Sequence, residues 1–299
     1  MHVLLTGGTG FIGSALTKEL LALGNSVTIL SRESRHNYGH CQFVQSLDEI
    51  SSTAQLDAVI NLAGASMAAQ RWTPSYKKVI IDSRMDTARS LNALIARITN
   101  PPQTLLSASA IGYYGHHGDE RLTEESAVTP GFAQKLCYDL ETLALRSQRL
   151  GVRVCPMRLG VVLDNGGGAL TEMAQSFGFG IASWLGTGKQ WLSWVHRRDV
   201  VRSIIFLLEH NQLQGPVNIT SPEPVIGRDF CQALKAHHRT YITAGVPAPV
   251  LRILLGEMAE ELLLNGQRVI PQRLLGSGFV FDHPDIKSAL TDIYSIPAI

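Results

Sequence analysis

For the first 165 positions, short apolar runs alternate with stretches of helical spacing. His2-Val-Leu-Leu-Thr6 is followed by a Gly pair, then by apolar positions at Phe11, Ile12, Ala15, Leu16, Leu20 and Leu23. The first run predicts a strand and the second pattern, with period near 3.6, a helix. Further strands are expected at Ser26–Leu30, near Gln42–Val44, at Ala58–Leu62, at Thr104–Ser107 and at Val152–Arg158. Long helices are expected at about 75–98 and 131–150. The strands are apolar runs rather than strict alternations, as expected when helices cover both faces of a sheet. Strands alternating with helices imply right-handed βαβ units and a parallel sheet. The predicted class is α/β: a Rossmann-type doubly wound parallel sheet with a smaller C-terminal substrate lobe.

The rhythm changes after Asp164. Gly166-Gly167-Gly168 opens a helix, Ala169–Phe179, and a stretch rich in Gly and Trp runs to Trp194. A helix is expected at Asp199–His210 and a strand at Pro216–Thr220. The remainder reads as helical, ending with a strand around Phe279–Phe281. These changes predict a dinucleotide-binding domain of residues 1–165 with 196–222. The substrate lobe would comprise 166–195 with 223–299 and cover the carboxyl edge of the sheet, where ligands of doubly wound folds bind.

The chemistry begins at Thr6-Gly-Gly-Thr-Gly-Phe-Ile-Gly13. Gly7 permits a tight strand-to-helix turn, Gly10 lets backbone approach a pyrophosphate, and Gly13 allows close helix–strand packing. The N–H groups of the following helix then face the phosphates, so Thr9, Phe11 and Ile12 join the three glycines as expected contacts. The second strand ends at Ser31-Arg32, where a ribose-reading residue belongs. An acidic residue there reads the ribose hydroxyls of NAD, whereas Arg32 suits a 2′-phosphate, which favours NADP(H). Glu33 next door keeps NAD open. Asn61-Leu62-Ala63-Gly64 ends another strand with small residues against which the adenosine can lie.

Composition narrows the picture. The 299 residues are 45% apolar with a formal net charge of +1, which gives no basic stripe for nucleic acid and no disordered tail. The most apolar stretch, Val250–Leu264, carries Arg252, Glu257, Glu260 and Glu261, so no membrane span is expected. The first strand starts at residue 2, leaving no room for a signal peptide, and the four scattered cysteines read as reduced thiols. A cytoplasmic protein is expected, with a small-molecule substrate and no bound metal. His116-His117 reads as exposed loop.

These motifs, with Ser107-Ala-Ser-Ala-Ile-Gly-Tyr-Tyr-Gly115, Asp82-Ser83-Arg84, Arg158-Leu-Gly-Val-Val162, Ser193-Trp-Val-His196 and Gly215-Pro-Val-Asn218, resemble the extended short-chain dehydrogenase/reductase superfamily. More narrowly, they resemble its atypical epimerase family branch. Gly186-Thr-Gly-Lys-Gln190, Gly266–Pro271 and Gly278–Phe281 extend the likeness over nearly the whole chain. The resemblance implies NADP binding, with Ser107, Arg158 and Leu159 among the cofactor contacts. It also implies a monomer or a homodimer, since the two long helices bundle in many relatives. Its name reflects kinship to sugar-nucleotide epimerases and fixes no substrate.

The departure from the superfamily is the acid–base pair. Most members carry a Tyr with a Lys four residues later, the Tyr exchanging a proton with the substrate oxygen. None of the seven tyrosines here has Lys four residues on. Alignment on Glu141 puts the two expected positions at Ala133 and Cys137. Ser109 matches the superfamily's catalytic Ser, and Tyr113 and Tyr114 on the same strand-end loop are the nearest phenols. These three are the candidate catalytic residues. His196 with Asp199 reads as a brace between lobes or as a proton-transfer group. Two functions follow: an NADP(H)-dependent oxidoreductase or epimerase-like enzyme acting on a small carbonyl or sugar-nucleotide-like substrate, or a non-catalytic NADPH-binding sensor.

Overall fold

A computed structural model describes residues 1–295. Seven strands form the central sheet: β1 (His2–Thr6), β2 (Ser26–Leu30), β3 (Cys41–Val44), β4 (Ala58–Asn61), β5 (Thr104–Ala110), β6 (Arg153–Leu159) and β7 (Val217–Ile219). Their order is β7-β6-β5-β4-β1-β2-β3, and every pairing is parallel. The chain therefore reverses its winding direction beside β1, which has β2 on one side and β4 on the other. That switch point opens a crevice at the carboxyl ends of the strands. In register, Thr6 pairs with Asn61 and Asn61 with Ser107, so the strand ends form a level rim.

Both faces of the sheet are covered, which explains the unbroken apolar runs. On β1, Val3 and Leu5 point to one face and Leu4 to the other, as a period of two requires. The first face packs on α1 (Phe11–Ala22) and α5 (Arg197–Glu209) through Leu16, Leu20, Val200 and Ile204. The second packs on α2 (Pro74–Arg97) and α3 (Phe132–Leu145) through Leu91, Leu94, Ile95 and Ala144. Each such Leu or Ile contributes about 1.5–3 kcal/mol on burial. Thr73 caps α2 by accepting from the Tyr76 N–H, and Pro74 occupies the first turn, where its missing N–H is harmless.

A separate apolar cluster gathers α4 (Ala169–Gly178), α6 (Gly227–Lys235) and α8 (Ile286–Ser295) around Trp194, Phe177, Phe230 and Leu290. Two-stranded pairings accompany it, Ile181–Leu185 with Ile242–Val246 and Val161–Leu163 with Trp194–His196. The expected strand at Phe279–Phe281 is corrected: that segment is irregular. Its two rings pack into the sheet core, Phe279 edge-on to Phe206 of α5, so side-chain burial rather than strand pairing accounts for its apolar character. Val250–Leu264 is broken into α7 (Ala248–Leu255) and a π turn, Ala259–Leu264. Among the described residues no helix is long and apolar enough to cross a membrane.

Candidate functional site

The rim of the sheet and the C-terminal residues Glu261, Leu262 and Gln267 enclose a cleft of about 520 Å³. Its β1 side is made of backbone. Gly7, Gly10 and Gly13 line it together with Phe11 and Ile12. Gly7 has φ +70°, and a Cβ there would lie 2.7 Å from the Leu62 carbonyl oxygen. A Cβ on Gly13 would lie 2.1 Å from the Gly7 oxygen. Gly10 caps α1 without a side chain, so the first-turn N–H groups have no side-chain acceptor and the positive end of the helix is bare. Gly168, with φ +71°, folds the 166–168 turn onto the Phe11 ring, and Arg197 stacks over the same ring at 4.8 Å.

Leu62 and Gly64 after β4, and Leu159 at the end of β6, continue the wall. Ala63, between the first two, is half-buried, and Thr9 is exposed on the turn. At the end of β2 the Ser31 hydroxyl accepts from the Glu33 N–H and donates to the Glu33 carbonyl. Arg32 is exposed, and Glu33 pairs with Arg35 at 3.0 Å. Asn61 and Ser107 stand behind the wall. Thr6 Oγ1 donates to Asn61 Oδ1 at 2.6 Å, Asn61 Nδ2 reaches Ser107 at 3.5 Å, and the three tie adjacent strands together.

Arg158 is buried as well. It forms a bidentate pair with Glu141 of α3, both contacts at 2.9 Å, and its remaining N–H groups reach the Tyr114 hydroxyl and the Glu124 carbonyl. Burial acts to lower the Arg158 pKa, but Glu141 outweighs it and the net direction is up. Tyr114 is wholly buried and donates to Asn218 Oδ1 at 2.6 Å, with burial pushing its phenol up to about 12. Ser109 donates to Glu141 at 2.7 Å. Tyr113 is half-buried, its ring stacked 3.5 Å from the Arg158 guanidinium. Thus Ser109, Tyr113, Tyr114 and Arg158 are brought together, but as one network bracing β5, α3 and β6. None of the four lines the cleft.

What does line the β5 side is Gly112, Ala133, Cys137 and Glu261. Ala133 and Cys137, the positions where the resemblance puts the superfamily's Tyr and Lys, both line the cleft. Burial pushes the Cys137 thiol up to about 11, so it is a thiol rather than a thiolate. Glu261, from the π turn, is the residue that sequence reasoning missed. Its two carboxylate oxygens accept from the Phe132 and Ala133 N–H groups at 3.2 and 3.3 Å, at the start of α3. A signal was available: Glu261 sits in an apolar stretch with no Lys or Arg three or four residues away to pair with it along a helix.

His196 lies away from the cleft and braces. Its Nδ1 caps α5 by accepting from the Arg198 N–H at 3.2 Å, so the proton sits on Nε2. Asp199 is fully buried and accepts from the Asp282 and His283 N–H groups. His196, His283 and Asp292 are the group of potential metal ligands that converges among the described residues. The protonated Nε2 points the wrong chemistry at that gap, because a ligating nitrogen needs a free lone pair.

A family model described as the NAD dependent epimerase/dehydratase family matches residues 3–220, and a domain of unknown function, DUF1731, matches 246–293. The chain belongs to the NAD-dependent epimerase/dehydratase family. Within it, the chain falls in the atypical epimerase family branch of the extended short-chain dehydrogenases/reductases, with that branch's C-terminal domain. An epimerase family protein of Mycobacterium bovis is 37% identical over 290 residues, 96% of each chain. One of Staphylococcus aureus is 34% identical over 301 residues, 98% of each. Human epimerase family protein SDR39U1 (isoform 2), whose crystal structure was determined with NADPH, superposes with TM-score 0.88 at 31% identity and 99% coverage of both chains. A UDP-glucuronic acid 4-epimerase of Bacillus cereus, solved with UDP-glucuronic acid and NAD, shares the fold alone at 14% identity and TM-score 0.79.

Proposed function

We propose that this chain binds NADP(H) along the cleft and is an oxidoreductase or epimerase-type enzyme of the cytoplasm acting on a small polar, carbonyl or sugar-like, substrate. Residues 1–165 with 196–222 form the dinucleotide-binding domain and 166–195 with 223–299 the substrate lobe. The observation that carries the reading is the glycine cradle beside the bare N-terminus of α1. Gly7 and Gly13 let the turn and the helix close on backbone, where a Cβ would lie 2.7 and 2.1 Å from carbonyl oxygens, and Gly10, whose Cβ would meet only the Gly7 oxygen, leaves the helix end open to a pyrophosphate. Arg32 supports the 2′-phosphate: its competitor Glu33 is paired with Arg35, whereas Arg32 has no ion-pair partner among the described residues. The NADPH found with the human relative points the same way. When bound, the nicotinamide supplies or accepts a hydride. The protein's part is to hold the phosphates on α1 and set the ring against the β5 side of the cleft.

Calorimetric titration with NADPH and NADH tests this. NADPH is expected to bind about 10-fold more tightly, roughly 1.4 kcal/mol, and Arg32→Ala to remove most of that margin. Gly10→Val is expected to abolish binding of both nucleotides and leave the fold intact, because its Cβ meets only the Gly7 oxygen, at 3.2 Å. Equal affinity for NADPH and NADH in the parent protein removes the Arg32 argument. Normal NADPH binding by Gly10→Val removes the cleft from the reading. One observation favours the second reading, a non-catalytic NADPH-binding sensor: the hydroxyls of Ser109, Tyr113 and Tyr114 are absent from the cleft wall.

A further inference from the structure

The cleft wall carries two ionisable side chains, Cys137 and Glu261. Cys137 is held as a thiol by burial. Among the described residues Glu261 therefore supplies the wall's only carboxylate, and no Lys or Arg lines the cleft to neutralise it. It has no ion-pair partner among the described residues, while its neighbours Glu257 and Glu260 pair with Lys77 and Arg252. Arg84 packs behind Gly64 and donates to the Ile80 carbonyl.

The position of this carboxylate is fixed. Two N–H groups of α3 hold it, at Phe132 and Ala133, and Ala133 is one of the two positions where the superfamily resemblance puts the Tyr and Lys. Space has been left for it on the backbone side too: a Cβ on Gly131 would lie 3.0 Å from Oε1. The surroundings are apolar, with Leu262, Met67 and Ala133 on the same wall. Such a setting strengthens the charge's action on whatever occupies the cleft.

We propose that Glu261 stands in for the missing helix Tyr, facing the nicotinamide end of the cleft as the proton-exchanging group for a substrate hydroxyl. This rests on the nucleotide reading above. In the step assigned to it, the substrate O–H bond breaks, the electron pair stays on the substrate oxygen and the proton moves to a carboxylate oxygen of Glu261; the reverse step returns it. The substrate class is an alcohol, or the carbonyl compound formed from it, presented by its oxygen to the start of α3.

Placement beside the ring has a consequence that needs no substrate. The oxidised nicotinamide is a cation and the reduced ring is neutral, whereas the phosphates of the two forms are the same. A carboxylate facing the ring favours NADP⁺ over NADPH, and the ratio of the two dissociation constants isolates that effect. Calorimetry on the full chain with NADP⁺ and NADPH is the experiment, for the parent protein, Glu261→Gln and Glu261→Asp. Gln keeps an acceptor oxygen for α3 but loses the charge; Asp keeps the charge.

The expected result is a ratio, NADP⁺ over NADPH, that rises on the order of 10-fold in Glu261→Gln and stays within about twofold in Glu261→Asp. A residue that merely capped α3 would leave the ratio alone. An unchanged ratio in Glu261→Gln, or equal shifts in both variants, overturns the proposal and leaves the nucleotide reading standing. If the parent protein binds neither nucleotide, the nucleotide reading fails and the proposal falls with it.

Discussion

The β1 side of the cleft is built from backbone within one short stretch, since Gly7, Gly10 and Gly13 span seven residues of a single strand–turn–helix unit. The β5 side is built from three distant segments, with the ionisable side chains coming from two of them. Gly112 follows β5, Ala133 and Cys137 come from α3, and Glu261 arrives 128 residues after Ala133. A phosphate cradle can be local because it uses groups that every residue has, N–H donors and a helix dipole, and needs only that side chains be absent. Proton exchange needs one particular side chain at one point in space, and any segment that reaches that point can bring it. The local glycine cradle and the distant Glu261 proposed for proton exchange follow that difference.

The cradle is accordingly where a single atom does the most damage. Gly13→Ala would set a Cβ 2.1 Å from the Gly7 oxygen and 2.7 Å from Gly8 Cα, both backbone. Relief requires α1 to lift off β1, which opens the packing of Leu16 and Leu20. A loss of about 3 kcal/mol or more is expected, read as a lower urea midpoint at an unchanged slope. Gly10→Val is the control on the same turn, with its midpoint held. If Gly13→Ala melts like the parent protein, the β1 side is not the rigid backbone device that the comparison makes it.

The same contrast decides what could be read before the structure. The glycine motif, the strand ends and the long helices were legible because each depends on neighbours in sequence. The expected helix at about 75–98 is α2, Pro74–Arg97, and the strand at Val152–Arg158 is β6, Arg153–Leu159. The short pairings, such as Ile181–Leu185 with Ile242–Val246, were not legible, because two runs about 60 residues apart carry no local mark of their pairing. Phe279–Phe281 has the composition of a strand but buries its rings individually. For Ser109, Tyr113 and Tyr114 the sequence shows that they follow one strand end but not where their side chains point. They converge on Arg158 and Glu141, inside the protein, because a buried guanidinium needs its acceptors there. For Glu261 the sequence shows a carboxylate without a helix-spaced cation but not its place in the cleft, because its partners are the N–H groups of a helix far away in sequence.

Acid should act on the joint that carries the C-terminal segment to the sheet. Burial first, and His283 second with its ring 4.0 Å away, lower the His196 pKa to about 4. The unfolded chain titrates near 6.5, so between those values it binds more protons than the folded protein. Stability is therefore complete above about pH 6.5 and falls as pH drops toward 4, by up to about 3 kcal/mol from this residue. His196→Asn keeps an acceptor for the Arg198 N–H and removes the titration. Its Tm should fall less steeply than that of the parent protein between pH 6.5 and 4.5. Equal slopes for the two proteins would place the acid sensitivity elsewhere and detach this joint from the comparison.

The smallest expected effect on stability is also the sharpest probe of the β5 side. Gly131 has φ −175°, an extended conformation open to any residue, so Gly131→Ala brings no backbone strain. Its Cβ would lie 3.0 and 3.2 Å from the two Glu261 carboxylate oxygens, and these are the tip of a flexible side chain. The carboxylate can swing away at a cost under about 1 kcal/mol, which is a small shift in Tm. Swinging away also breaks its contacts with the Phe132 and Ala133 N–H groups and turns the charge from the ring. The NADP⁺ to NADPH ratio of dissociation constants should then rise about threefold, part of the way to the Glu261→Gln value, with the phosphate cradle untouched. A ratio that stays at the parent value in Gly131→Ala but moves in Glu261→Gln would mean that the carboxylate reaches the ring from some position other than the start of α3. The β5 side would then be mobile where the β1 side is fixed.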